Sequence, residues 1–186
     1  MGLDQSLYKE KYVPGWIEKD KLKVSVERGD KEVLVENGLD GVSVKWQVAY
    51  WRKCNQIHKW FVDNCGEGED NCRAYPVDIE QLRELLKLCE KVKKSCKLVD
   101  HGEIESHEFK DGKIIKKNVP YKIIEDSSVA EELLPTESGF FFGSTDYDEY
   151  YMDDIDLTIK QLTEIIKEYD ADTDKAYTDF WYQASW

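Results

Sequence analysis

Two stretches of this chain are written as hairpins, and a hairpin commits its strands to antiparallel pairing. Leu22, Val24 and Val26 alternate with Lys23 and Ser25, and after Arg28-Gly29-Asp30 the alternation resumes at Val33 and Val35. Successive strand side chains point to opposite faces, so this period of two predicts a hairpin over 21–36. A second hairpin is predicted over 98–124, where Asp111-Gly112 supplies the left-handed backbone angles of a two-residue turn. Short reversals of this kind leave no room for the crossover helices of a parallel sheet.

Around the hairpins the period changes. Tyr50, Cys54, Ile57 and Phe61 recur at helical spacing and predict a first long helix over 45–62. Asp78, with Gln81 three residues on, makes a capping box ahead of the apolar stripe Leu82, Leu85, Leu86, Cys89 and Val92. Lys91, Lys93 and Lys94 then suit the negative end of that helix's dipole. Val129 to Leu134 reads as one helical turn ended by Pro135, and Asp148 opens a third helix with Tyr151, Ile155, Leu162 and Ile166 inward. Residues 2–13 read as a strand, Gly139 to Gly143 as a short buried strand, and the aromatic tail Ala176 to Trp186 as a final strand. The expected fold is α+β: an antiparallel or mixed sheet with about three helices packed on it, in a single domain over 1–186 that includes the additional hairpin of 98–124.

Charge narrows the partners. The chain has 39 acidic against 26 basic residues in 186, a formal charge of −13. Such a surface repels phosphate backbones, so direct nucleic-acid binding is not expected; a basic partner, a small ligand or mimicry of nucleic acid is left open. No apolar run has the length of a membrane helix, and no secretion signal is read. The opening Met1-Gly2-Leu3-Asp4-Gln5-Ser6 fits a myristoylation pattern, but its expected role is the start of a strand. Five cysteines, an odd number, read as free thiols in a reducing compartment. Cys54, His58, Cys65 and Cys72 lack the close cysteine pairs of a structural zinc site, so no metal and no cofactor are expected. The aromatic tail from Phe180 to Trp186 predicts either burial or a homo-oligomer.

Two constellations are candidates for binding. On the predicted first helix, Trp51, Asn55 and His58 fall along one ridge, with Arg52 and Trp60 beside it. An indole, a guanidinium, an amide and an imidazole together suit a base and a phosphate; the plainer alternative is an amphipathic helix with an aromatic core face. The second is the turn after Gly143, where Ser144, Thr145 and Tyr147 precede a helix N-terminus whose free N–H groups favour anions; ordinary capping is its plainer alternative. No nucleophile elbow, metalloprotease helix or dinucleotide fingerprint occurs, so no catalytic residue is assigned. The acidic run Asp146, Asp148, Glu149, Asp153, Asp154 and Asp156 reads as a solvated helix start, or as a row imitating phosphates.

The strings that carry these candidates are distinctive. They are Met1-Gly2-Leu3-Asp4; Tyr50-Trp51-Arg52-Lys53 with Asn55, Ile57-His58 and Trp60-Phe61; and Leu133-Leu134-Pro135-Thr136 with Gly139 through Thr145 and Tyr147 through Tyr151. In these the chain resembles a family of small bacteriophage and prophage proteins, over residues 1–13, 46–96 and 129–169. The segment 98–124 is longer than the family pattern and reads as an insertion. The resemblance implies an accessory protein in the cytoplasm of a bacterial host cell, countering host defence by sequestering a nucleotide signal, blocking an effector protein or mimicking DNA. The leading expectation is a non-catalytic sponge for a small anionic, nucleotide-like ligand. An acidic inhibitor of a host protein and a nucleotide-processing enzyme are the alternatives.

Overall fold

The computed structural model describes residues 2–15, 22–110 and 112–186. Met1, residue 21 of the first predicted hairpin and Asp111 of the second turn lie outside the described residues. The fold is α+β, and its main sheet is antiparallel throughout. Strands β1 (Asp4–Pro14), β4 (Gly41–Arg52), β5 (Tyr75–Val77) and β8 (Thr178–Ser185) lie in the order β4-β1-β8-β5. Between β1 and β4 run β2 (Leu22–Arg28) and β3 (Lys31–Leu39), a separate two-stranded hairpin. A second ribbon, β6 (Leu98–Lys110) with β7 (Lys113–Ile124), stands between the second and third helices.

Alternation along β1 decides which face of the sheet is covered. Gln5, Leu7 and Lys9 are buried while Asp4, Ser6 and Tyr8 are not, and their partners follow suit: Trp51 and Ala49 on β4, Ala184, Tyr182 and Phe180 on β8. Helices α1 (Asn55–Cys65), α2 (Ile79–Ser95) and α4 (Glu149–Ala171) contribute Ile57, Phe61, Leu82, Leu85, Ile155 and Leu162 to the same core. The single-turn helix α3 (Ser128–Leu133) packs against α2. α2 starts as its sequence dictates: Asp78 Oδ1 accepts from the Glu80 N–H at 2.7 Å, and Gln81 Oε1 accepts from the Asp78 N–H at 2.8 Å. Such a box contributes about 1 kcal/mol. β4 is an edge strand, and α4 covers its upper end. Gln161 stands in for a neighbouring strand there, accepting from the Tyr50 N–H at 2.8 Å and donating to the Tyr50 carbonyl at 3.3 Å.

Three expectations are corrected. Residues 45–52 extend β4 and are not the first turns of a helix. Val42, Val44, Trp46 and Val48 carry the β-branched and aromatic alternation of a strand, and Lys53, at φ 58°, breaks the chain before α1 begins at Asn55. The segment Gly139–Gly143 is an irregular loop: Phe142 turns inward, whereas Phe140 is 79% exposed. Phe141 takes φ 64° and Gly143 φ 101°, angles no strand accommodates. The aromatic tail lies inside the sheet as β8, between β1 and β5, which removes the tail as a reason for self-association.

The two irregular corners rest on each other. A Cβ at Gly143 would stand 2.9 Å from the Lys53 carbonyl oxygen, whereas one at Gly29, also at positive φ, meets nothing within 4 Å. Gly143→Ala is therefore expected to cost more than about 2 kcal/mol, and Gly29→Ala only the backbone penalty of about 1 kcal/mol. Urea unfolding of the two variants checks this; equal losses would contradict the close approach.

Candidate functional site

The corner at Lys53 and the corner at Gly143 enclose a hollow of about 370 Å³. Arg52, Lys53 and Gln56 form the wall from the β4–α1 junction, and Thr136, Gly143 and Ser144 form the facing wall. The first turns of α4 add Asp148, Tyr150, Asp153 and Asp154, with Asp146 just before them.

Asn55 holds the facing wall in place. Its side chain is buried; Nδ2 donates to the carbonyls of Ser144 at 2.8 Å and Phe142 at 3.3 Å, and Oδ1 accepts from the Glu137 N–H at 2.9 Å. Leu3 adds a second strap, donating its N–H to the Phe141 carbonyl at 3.3 Å and accepting from the Lys53 N–H at 2.7 Å. Further out, the Thr136 hydroxyl donates to the Thr145 carbonyl, and the Thr136 N–H to the Tyr147 hydroxyl. A loop whose main-chain groups are taken up this way is pre-formed, at no ordering cost on binding.

The residues singled out in the sequence therefore separate. Arg52 and Ser144 do line one hollow; Arg52 is 58% exposed, with its Nε 4.0 Å from Asp4. The Ser144 hydroxyl is already engaged, donating to Asp146 Oδ2 at 2.8 Å and accepting from the Asp146 N–H at 3.1 Å. Thr145 and Tyr147 lie behind this wall and do not line it. Trp51, expected on an open ridge, is fully buried because it sits on the inner face of β4; its indole N–H donates to the Thr158 hydroxyl at 2.9 Å. Trp60 is buried edge-on against Phe61. His58 is buried too: Nδ1 lies 2.8 Å from the Tyr182 hydroxyl, which donates to Gln5 Oε1 at 3.0 Å. Its Nε2 lies 3.2 Å from the Asp70 carboxylate but makes no hydrogen bond. Neither indole nor the imidazole lines the hollow.

Lys53 and Gln56 line the hollow but were not among the residues expected to bind from the sequence. Lys53 was hidden because its left-handed angle, not its identity, places it; Gln56 because α1 starts later than its spacing suggested. The acidic run was legible as a helix start. Asp148 caps α4 by accepting from the Tyr151 N–H at 3.0 Å, and its other oxygen accepts from the Tyr121 hydroxyl at 2.8 Å. Asp154 is different: burial is the main cause that pushes its carboxyl up from 3.8 to about 6, against donors from Gln56 and the Cys54 thiol. That thiol is itself pushed well up by burial, and the five cysteines are free. Among the described residues no group of three histidines, cysteines or carboxylates gathers as a metal site. Nor is any helix long and apolar enough to cross a membrane.

Taken together, the hollow sets two cations against four aspartates, two of which are occupied in capping or turn contacts. The structure thus shows a polar hollow of mixed charge. Comparison with protein-family models, with curated proteins and with solved structures finds no match.

The Asp154 carboxyl gives a signed pH dependence. Its proton is held more tightly folded than unfolded, so its contribution is fully favourable below about 4 and lost as pH rises through about 6. Asp154→Asn is expected to raise stability at pH 7 by up to about 2 kcal/mol, with the difference vanishing near pH 4. Thermal unfolding at the two pH values checks this; a variant less stable at pH 7 would contradict it.

Proposed function

We propose that the chain is a non-catalytic binding protein whose hollow captures a small anionic, nucleotide-like ligand. The observation that carries this reading is the convergence of Arg52 and Lys53 on one wall with the Ser144 loop on the other, around a single hollow. Arg52 and Lys53 take the phosphate, the guanidinium in the bidentate geometry that suits it. Carboxylates accept from hydroxyls, so Asp153 and Asp154 fit the sugar. Tyr150, exposed at the rim, offers the ring on which a base stacks. Four aspartates beside two cations oppose concentrated negative charge. The ligand class is therefore a phosphodiester, which carries one charge per phosphate, not a monoester or a polyphosphate. With the resemblance to phage proteins, the reading becomes a counter-defence sponge in the cytoplasm of a bacterial host.

A second reading, capture of a host protein, is favoured by one observation. Phe140 and Phe141 project into solvent from the same loop, and Phe141 is held at φ 64° to do so. Strained, exposed aromatic residues are suited to anchoring in a partner's pocket.

A thermal-shift screen with cyclic dinucleotides and other nucleoside phosphodiesters separates the two. Binding at about a hundred times Kd is expected to raise Tm by about 5–10 °C, and Arg52→Ala to abolish the rise. The ligand is expected back unchanged after denaturation; a converted product would contradict a non-catalytic role. Trp51→Ala is expected to act on the fold alone, costing about 3–5 kcal/mol. No shift with any ester, together with retention of a host protein lost on Phe140→Ser, would favour the second reading.

A further inference from the structure

A chain of buried polar side chains runs from β1 out to the loop 66–74. Gln5 Nε2 donates to the Cys54 carbonyl at 3.0 Å. A carbonyl only accepts, so the amide oxygen of Gln5 is the end that faces Tyr182. The Tyr182 hydroxyl donates to that oxygen at 3.0 Å and lies 2.8 Å from His58 Nδ1. On the far side of the ring, His58 Nε2 lies 3.2 Å from Asp70 Oδ2. The imidazole is wholly buried, whereas the Asp70 side chain is 30% exposed on the loop.

Counting protons decides the state of that imidazole. Three contacts, Gln5 to Tyr182, Tyr182 to His58 and His58 to Asp70, each set two electronegative atoms face to face and need one proton between them. Tyr182 brings one proton and a neutral imidazole brings one, so the chain is a proton short. The hydroxyl proton goes to Gln5, so Nδ1 donates to Tyr182. A neutral ring would then turn the Nε2 lone pair toward a carboxylate.

The groups around the ring leave Asp70 as its countercharge. Burial pushes the Tyr182 phenol and the Cys54 thiol well up, and the Cys65 thiol to about 12, so all three stay neutral. The Tyr75 ring stacks on Tyr182, and Phe142 and Trp186 pack their rings near the imidazole. A buried cation is tolerated where a carboxylate pairs with it.

We infer that His58 holds a second proton, on Nε2, and that the resulting imidazolium clasps the loop 66–74 through Asp70 as a pH-sensitive latch. The loop is strained: Glu67 and Cys72 take left-handed angles, φ 55° and φ 60°, that side chains disfavour. The charged ring is the form that holds the loop. The latch is therefore closed at lower pH and opens as rising pH removes the Nε2 proton. Asp70 has to stay ionised, so strong acid opens it too. Nδ1 keeps its proton for Tyr182, so opening frees the loop and leaves the core contact standing.

The test is long-range proton–nitrogen NMR of the imidazoles in the full chain, across about pH 5 to 9, beside hydrogen-exchange protection of the loop. The loop amides that are hydrogen-bonded are those of Gly68, Glu69 and Asn71. The expected result is a His58 ring protonated on both nitrogens at the acid end. It loses the Nε2 proton at the same midpoint at which those three amides lose protection by at least about tenfold. The β1–β8 ladder keeps its protection throughout. In Asp70→Asn the side-chain amide donates to a neutral Nε2. The midpoint is then expected to fall by about one pH unit or more, and the loop to stay protected at the alkaline end. A ring that stays neutral, or stays charged, over the whole range would overturn the inference, as would one protonated on Nε2 with Nδ1 bare. So would a deprotonation that leaves the loop amides unchanged, or an Asp70→Asn midpoint equal to that of the parent.

Discussion

One buried amide, that of Asn55, ties the two halves of the hollow together. Its three hydrogen bonds go to main-chain groups of residues 137, 142 and 144, on a loop with no regular secondary structure to satisfy them. Buried main-chain groups left without partners are costly, so a loop that passes over a core needs such a bracket. Asn55 supplies it because β4 ends at Arg52 and the left-handed turn at Lys53 aims the first residue of α1 at the loop. The same turn leaves Arg52 and Lys53 outside the core. Strand end, turn, bracket and loop are thus one mechanical unit, and the hollow is what they enclose.

The electrostatics of that unit limit what it can hold. Two of its four aspartates have structural duties, Asp148 at the helix cap and Asp146 in the Ser144 turn. Burial raises the Asp154 carboxyl, and Asp153 is exposed. Arg52 and Lys53 line the hollow from the β4–α1 junction, and the four aspartates line it from the start of α4 and the turn before it.

Much of the frame was legible in the sequence. The capping box at Asp78, the period of two in both hairpins and the α4 stripe Tyr151, Ile155, Leu162 and Ile166 are local signals, and local hydrogen bonding realises them. The candidate site was half legible. Arg52 and Ser144 meet across the hollow, but Trp51, His58 and Trp60 do not join them. Tyr50, Cys54, Ile57 and Phe61 match a helix by spacing, and nothing local reports that pairing with Gln5 and Leu7 draws residues 49 and 51 into a sheet. One residue of strand in place of helix swaps faces, which sent the indole inward. The loop at Gly139 misled for the opposite reason: three phenylalanines read as buried, while the positive φ of Phe141 and Gly143 turns two of them out.

The claim that Asn55 brackets a pre-formed hollow is tested most directly by hydrogen exchange on Asn55→Ala in the native state. The account requires the Glu137 amide, and the amides of 142–144, to lose protection by orders of magnitude while those of α2 and of the β1–β8 ladder keep theirs. Unchanged protection at residue 137, or an equal loss throughout the core, would show that the loop does not depend on this side chain.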